Sequence, residues 1–115
     1  MNFEYENDRV KEYFEDFNLV KKKIGSDMAR TVKKRYDQLK AASSFGIYLD
    51  TGLGKPHALF GDLKGCFGIS ISGNVRLVVN PRTESLEPEI LRKCDTVVIM
   101  GVVDYHGSKN EWFIP

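Results

Sequence analysis

The side chains best suited to chemistry lie at the margins of two predicted strands. The chain has two histidines, His57 and His106, and histidine is the side chain that exchanges protons most readily near neutral pH. His106 ends the run Asp104-Tyr105-His106, which directly follows a hydrophobic segment. Strand periodicity places Asp104 and His106 on one side and Tyr105 on the other. Taken alone, this run is more typical of a solvated strand end. His57, taken alone, is more typical of a loop histidine without a catalytic role.

Two cations, Lys64 and Arg76, lie in the same part of the chain as His57. Both can neutralise a phosphate, and Arg76 presents a planar fork suited to two phosphate oxygens. Cys66 follows a glycine in a predicted strand with no base beside it, so we interpret it as a packing residue. The sequence contains no Gly-rich phosphate loop, HExxH helix or nucleophile elbow.

The run over 56–79 predicts the β-hairpin that positions these groups. Apolar residues alternate with small or polar ones over 66–72, which is the period-2 pattern of a strand with one face in a core. The turn residues at 72–74, Ser-Gly-Asn, tolerate positive φ, and a second alternating run follows over 75–79. The residues predicted to face the core are Phe67, Ile69, Ile71, Val75, Leu77 and Val79.

The rest of the chain predicts an α+β fold with two N-terminal helices packed against one small sheet. The first helix starts at Asn7 or Asp8 and the second at Ser26 or Asp27, each with an apolar stripe at helical spacing. Residues 96–103 are apolar on both sides, which is typical of a central strand. We also expect a strand at 1–5, a link at 18–23, a helix end at 43–46, a Gly-rich loop at 48–55, a helical turn at 87–91, and a tail at 107–115 in which Trp112, Phe113 and Ile114 pack back onto the domain.

A chain of 115 residues is long enough for a single domain, 1–115, with one modest core. No apolar run approaches the roughly 20 residues that span a bilayer, and the acidic N-terminus lacks the basic region of a signal peptide. We therefore expect a cytoplasmic protein with no membrane partner. Cys66 and Cys94 fit free thiols in a reducing compartment, with a disulfide less favoured. These cysteines and two scattered histidines make a poor zinc site, so we expect no metal and no other cofactor.

The net charge of +1 conceals a strong segregation of charge along the chain. Residues 1–18 carry six acidic and two basic side chains, whereas residues 19–40 carry eight basic and two acidic ones. Lys33, Lys34 and Arg35 fall mostly off the apolar stripe of the second helix, so we expect them in water. Such a basic block is most often a solvated helix face, but it can also steer a polyanion to one side of a protein.

In combination, these residues resemble one family. The segment HALFGDLKGCFGISISGNVRLVV, followed downstream by VVDYH, is similar to the HigB group of RelE-type toxins, also called plasmid maintenance system killer proteins. The N-terminal elements, from NDRVKEYF through the basic helix, fit the same pattern. The resemblance covers residues 1–106 and is weakest over 81–93; its most specific parts are GDLKG, SISGN-R and the terminal DYH.

The resemblance implies a twisted, mostly antiparallel sheet with two helices, in a toxin of a type II toxin–antitoxin system. Such toxins are metal-independent endoribonucleases that cut mRNA in the ribosomal A site, and a helix-turn-helix antitoxin of the HigA kind holds them inactive. By matching position, the candidate catalytic residues are His57, Asp104, Tyr105 and His106, with Lys64 and Arg76 as nearby cations. The ribosome would also give the basic block, with Lys33, Lys34 and Arg35, a large anionic partner.

The implied chemistry suits these side chains. RNA carries its own nucleophile in the 2′-OH, so the protein need only remove that proton, protonate the leaving 5′-oxygen and stabilise the charged phosphorane. His57 and His106 are the candidate proton-transfer groups, and the sequence leaves open which is acid and which is base. One position departs from the family pattern, because Phe60 stands where relatives often have a lysine. Phe60 either stacks on an mRNA base or packs under its own loop.

Two other functions are compatible with the sequence. A non-catalytic toxin on the same scaffold, similar to the ParE group that blocks DNA gyrase, would share the fold without the chemistry. An inactive member of the family would serve only as a partner of its antitoxin. The pair of titratable residues His57 and His106, together with Asp104 and Tyr105, favours the ribonuclease.

Overall fold

The chain folds around a six-stranded sheet that carries helices on one face, in a computed structural model that describes residues 1–106 and 109–115. The strands are β1 (Asn2–Tyr5), β2 (His57–Ala58), β3 (Phe67–Ser72), β4 (Val75–Pro81), β5 (Thr96–His106) and β6 (Lys109–Ile114). The helices are α1 (Asp8–Glu15), α2 (Phe17–Ile24), α3 (Ser26–Ala41), α4 (Phe45–Thr51) and α5 (Pro88–Leu91). The predicted α+β class is confirmed, and all but one of the strand pairings are antiparallel.

Strand β5 is the centre of the sheet. On one side it pairs with β4, from which the sheet continues through β3 to the two-residue edge strand β2. On its other side, its first half pairs in parallel with β1 and its second half pairs antiparallel with β6. The predicted strand at 96–103 is therefore confirmed, and it continues as far as His106. Val97 and Ile99 of this segment are buried in the main core, whereas Val98 and Met100, which point to the other face, are only partly buried.

The predicted β-hairpin is confirmed as β3 and β4. Gly73 and Asn74 form the turn between the strands, and Gly73 has a φ of 50°, which glycine adopts without strain. A bulge shifts the register of the hairpin, so that Arg76 pairs with Ser70 while Val75 pairs with Ser72. All six residues that were predicted to face the core are buried.

The prediction of two N-terminal helices is wrong in number, because four helices precede β2. The predicted link at 18–23 lies within α2. The side chain of Asp16 accepts a hydrogen bond from the backbone N–H of Asn18 and so caps the start of that helix. This cap satisfies an N–H group that would otherwise depend on water, which stabilises a short helix beside the core.

The predicted Gly-rich loop at 48–55 is also wrong in its first part, because Phe45–Thr51 form α4. The hydroxyl of Ser44 accepts a hydrogen bond from the N–H of Ile47, and Gly52 ends the helix in the left-handed conformation. The other helix starts differ less from expectation. Asn7 caps α1 as predicted, whereas α3 follows Gly25 without a side-chain cap.

Aromatic side chains join the helices to the sheet. The ring of Tyr36 on α3 stacks on Phe14 of α1 with the centroids 5.1 Å apart, and its hydroxyl lies 2.6 Å from that of Tyr5 on β1. Burial, followed by this hydrogen bond, raises the pKa of Tyr36 well above its ordinary value. The hydroxyl of buried Tyr48 donates to the carbonyl of Leu53 at 2.6 Å, and burial raises the pKa of Tyr48 to about 12.

The two faces of the sheet are packed differently. The face toward the helices carries the main core, which contains the buried residues of all five helices in the described chain. The opposite face, which we call the outer face, carries a smaller cluster that consists of Leu59, Leu63, Cys66, Val78 and Val103. Leu59 and Leu63 belong to the loop between β2 and β3, so that loop covers one part of the outer face.

Both cysteines are buried free thiols, as expected. Burial, and to a smaller extent the carboxylate of Glu6, raises the pKa of Cys66. A protonated thiol in an apolar cluster is a poor nucleophile, which supports the interpretation of Cys66 as a packing residue. No helix among the described residues is long and apolar enough to cross a membrane.

Candidate active site

Asp104 and His106 interact directly at the end of β5. The Nδ1 atom of His106 lies 2.9 Å from Oδ1 of Asp104, with the imidazole 47% exposed and the carboxyl 29% exposed. A carboxylate can only accept a hydrogen bond, so Nδ1 carries the proton and Nε2 is left as the basic nitrogen. The sequence prediction that these two side chains share one side of the strand is therefore confirmed.

Register with β4 places that side toward the helices. Asp104 pairs with Val75, whose side chain belongs to the main core, and directly paired residues share a face of the sheet. Tyr105 points the other way and packs against the cluster on the outer face. The backbone N–H of Tyr105 donates to the carbonyl of Asn74 at 2.9 Å, which fixes the strand end beside the hairpin turn.

Arg76 is held at the same hairpin turn. Its Nη1 atom donates to the carbonyl of Gly73 at 2.6 Å and to that of Val75 at 3.0 Å. Arg76 also pairs with Val103, which lies in the cluster on the outer face. The guanidinium therefore reaches the tip of the hairpin from the outer face, at the end of the sheet where Tyr105 lies.

His57 lies elsewhere on the sheet. It is exposed on the edge strand β2, pairs with Gly68, and has its Nδ1 atom 3.2 Å from the carbonyl of Lys55. Three strand spacings, about 14 Å, separate β2 from β5. The side-chain position of Gly68 is on the outer face, next to Leu59 and Arg76. His57, which is paired with Gly68, therefore lies on the outer face too. The structure thus brings Asp104, Tyr105, His106 and Arg76 to one end of the sheet, but it does not bring His57 next to His106.

The loop after His57 presents Phe60 and Lys64 to solvent. Phe60 is 77% exposed, whereas its neighbours Leu59 and Leu63 fill the cluster on the outer face. The interpretation in which Phe60 packs under its own loop is therefore wrong. Lys64 is exposed beside Gly65, whose φ of 91° is strained for residues with a side chain.

The basic block divides into residues with different surroundings. Lys34 is exposed, as expected, while Lys33 pairs with Asp37 at 2.9 Å and lies over the ring of Phe17. Lys21, Lys22 and Lys23 are exposed in the last turn of α2. The sequence predicts a link at 18–23, whereas these three lysines lie on a helix next to α3.

Arg35 is a correction, because it was expected in water and is partly buried. Its Nε atom donates to the carbonyl of Ser70 at 3.2 Å, and its Nη1 atom donates to Oε1 of Gln38 at 3.0 Å. β2 is too short to pair with β3 at Ser70, so the carbonyl of Ser70 accepts its hydrogen bond from Arg35 and not from a neighbouring strand. Arg35 thus fastens α3 to the sheet.

Trp112 is the main feature of the site region that the sequence analysis misplaced. We expected Trp112, Phe113 and Ile114 to pack back onto the domain. Phe113 and Ile114 do pack against the main core, but Trp112 is 37% exposed on β6. It pairs with Val103 on the outer face. The signal was obscured because Phe113 is the extra residue of a bulge, which interrupts the alternation along β6.

Among residues 1–106 and 109–115, no three His, Cys, Asp or Glu side chains lie close enough to hold a metal ion. Within that same part of the chain, every buried side-chain nitrogen and oxygen has a hydrogen-bond partner. Neither a protein-family model nor a curated protein matches the sequence.

Proposed function

We propose that this protein is the toxin of a type II toxin–antitoxin system and cuts mRNA on the ribosome without a metal, in the manner of the HigB group of RelE-type toxins. We also propose that the sheet, with its helices on one face, corresponds to the fold of RelE-type toxins. A helix-turn-helix antitoxin of the HigA kind is its inhibitor, and the cytoplasm is its location because translating ribosomes are there.

The observation that carries the proposal is the hydrogen bond between Asp104 and His106 at a partly exposed strand end. This bond fixes one tautomer and directs Nε2 away from the carboxylate. An imidazole held in this way is suited to proton transfer near neutral pH. A solvated strand end has no need for such an arrangement, and the cation Arg76 lies at the same end of the sheet, although on its opposite face.

The reaction requires few groups from the protein. The 2′-oxygen of the RNA attacks the adjacent phosphorus, the bond from phosphorus to the 5′-oxygen breaks, and a cyclic phosphate forms. Nε2 of His106 takes up the proton of the 2′-OH and returns it to the leaving 5′-oxygen, so that the step balances with one imidazole. Tyr105 points to the outer face of the sheet, so we assign it no proton transfer. The remaining donors of the Arg76 fork meet the charge that develops on the phosphate oxygens, which they approach from the outer face across the hairpin tip where Nη1 is bound.

His57 has a different part in this scheme. Because it lies about three strand spacings from β5, it does not share a scissile phosphate with His106. It lies on the same face as Arg76, and the following loop, which carries exposed Phe60 and Lys64, covers part of that face. We assign these three residues to contacts with the mRNA away from the cleaved bond.

Induced expression followed by mapping of mRNA 5′ ends tests the proposal. We expect new 5′ ends inside translated reading frames and few in untranslated regions, because cutting depends on the ribosome. His106→Ala is the matched control and should give none. Growth arrest without new 5′ ends would contradict the proposal.

The separation of His57 from His106 favours a second candidate, which is a non-catalytic toxin on the same scaffold. Such a protein would act by occupying its target and would not need proton transfer. The two candidates differ in one result. His106→Ala would remain toxic if the protein acts by binding alone, and would be harmless if it acts as a ribonuclease.

A further inference from the structure

Strand β6 places the side chain of Trp112 on the outer face. Trp112 lies outside residues 1–106, which are the residues that resemble the HigB group. Trp112 pairs with Val103, Val103 pairs with Arg76, and Arg76 pairs with Ser70. Paired residues share a face, so these four form one row across four strands. Two strand spacings, about 10 Å, separate Trp112 from Arg76 within this row.

The surroundings of Trp112 combine aromatic and hydrogen-bonding groups. Val103, the residue paired with Trp112 on β5, is fully buried, whereas Trp112 is 37% exposed. Tyr105 lies on the same face and is paired with Asn110, which neighbours Trp112 along β6 by two residues. Arg76 lies two strands from Trp112 in the same row, and its guanidinium is bound at the hairpin turn. A flat ring, a hydroxyl, an amide and a cation therefore occupy one exposed area.

From this arrangement we propose that Trp112 stacks on an unpaired base of single-stranded RNA whose phosphate is bound at Arg76. The proposal rests on the proposed function and adds a base-binding position to it. Aromatic rings on a sheet face stack on bases of any sequence, and a nearby arginine binds the backbone that links them. RNA fits this area better than an apolar protein segment, because a cation and polar groups lie beside the exposed ring of Trp112.

The chain itself provides the probe, because Trp112 is its only tryptophan. The wild-type protein is titrated with a short unstructured oligoribonucleotide while the tryptophan emission is recorded. The anisotropy of a fluorescently labelled copy of the same RNA gives an independent measure of binding. We expect saturable quenching that follows the anisotropy, and little quenching by duplex RNA, whose bases are already stacked and paired.

Variants separate stacking from general effects. Trp112→Ala should weaken RNA binding about tenfold, as expected for the loss of one stacked base, and Trp112→Phe should retain most of the affinity. Leu86→Ala is the matched control, since Leu86 is also exposed but borders a groove on the helical side of the sheet. Its RNA affinity should equal that of the wild type.

The inference is overturned if RNA binds without quenching and Trp112→Ala binds as tightly as the wild type, or if no RNA binds by either measure. In the first case the exposed ring would belong to a protein interface. Failure of the proposed function gives a different result, in which the wild type does not cut mRNA on ribosomes although RNA still quenches Trp112. If Trp112→Ala cuts mRNA as well as the wild type and RNA does not quench the emission of Trp112, this inference fails while the proposed function stands.

Discussion

The imidazole of His106 and the carboxyl group of Asp104 lie 2.9 Å apart at the end of the central strand. Two residues along a strand share a side, so the pairing follows from the backbone once the strand extends to His106. β6 supports this extension, because it pairs with β5 through residues 102–106. The last strand thus contributes to the site by holding its two polar side chains in register.

His106→Ala should abolish cleavage, with a loss of about 10²–10⁴-fold for the proton transfer. His57→Ala should lower cleavage much less, since β2 lies three strand spacings from β5. Both histidines are exposed, so thermal stability should change by less than about 1 kcal/mol in each variant. Cleavage rates and melting curves measured side by side test this order. An equal loss in both variants would mean that the two histidines act on the same phosphate.

Phe60→Ala should weaken mRNA cleavage without lowering stability. The ring is 77% exposed, so its removal costs the folded state less than about 0.5 kcal/mol. A lost base contact would cost roughly 1–3 kcal/mol of binding. Arg76→Ala should be more damaging to cleavage than Phe60→Ala. Normal cutting by Arg76→Ala would show that another group meets the charge on the phosphate.

Two adjacent charge reversals on α3 should affect different properties, one the stability of the protein and the other its binding to the ribosome. Arg35→Glu removes the hydrogen bonds to Ser70 and Gln38, so it should lower the free energy of unfolding by about 1–3 kcal/mol. Lys34→Glu should leave stability unchanged but weaken ribosome binding and reduce its salt dependence. Chemical denaturation and ribosome cosedimentation at several salt concentrations measure both effects. Unchanged ribosome association of Lys34→Glu would identify Lys34 as a solvated surface residue only.

Tyr48→Phe should show a stability difference that depends on pH. Near neutral pH the loss of the hydrogen bond to Leu53 costs about 1 kcal/mol. Because burial raises the pKa of Tyr48 to about 12, its contribution is present below the ordinary value of about 10 and is lost as the pH rises through the folded value. The wild type must then release a proton that the variant lacks, so the difference should shrink above about pH 10 in urea denaturation curves. A constant difference would mean that Tyr48 titrates normally.

The sequence predicts the elements whose patterns are local. The alternation over Phe67–Ser72 and Val75–Pro81 defines the hairpin, and the apolar run that starts at Thr96 defines the central strand. The short helices α2 and α4 were missed although Asp16 and Ser44 are ordinary capping residues. The charged and Gly-rich segments that follow those caps are more typical of links and loops.

The placement of the site residues depends on contacts that the sequence does not reveal. The distance between His57 and His106 is set by strand order, and the face of each strand residue is set by bulges at Ser70–Ser72 and beside Val103. The partial burial of Arg35 likewise follows from the shortness of β2, which leaves a carbonyl of β3 without a strand partner. These are tertiary relationships, so residue type and spacing alone could not supply them.

Cleavage of a defined mRNA by the purified protein, with and without programmed ribosomes and in the presence of a chelator, tests the central claim most directly. We predict that naked mRNA stays nearly intact, that ribosomes bring about cutting within the reading frame, that the chelator has no effect at a concentration that leaves the ribosomes intact, and that His106→Ala does not cut. Efficient cutting of naked mRNA, or equal cutting by His106→Ala, would contradict the account.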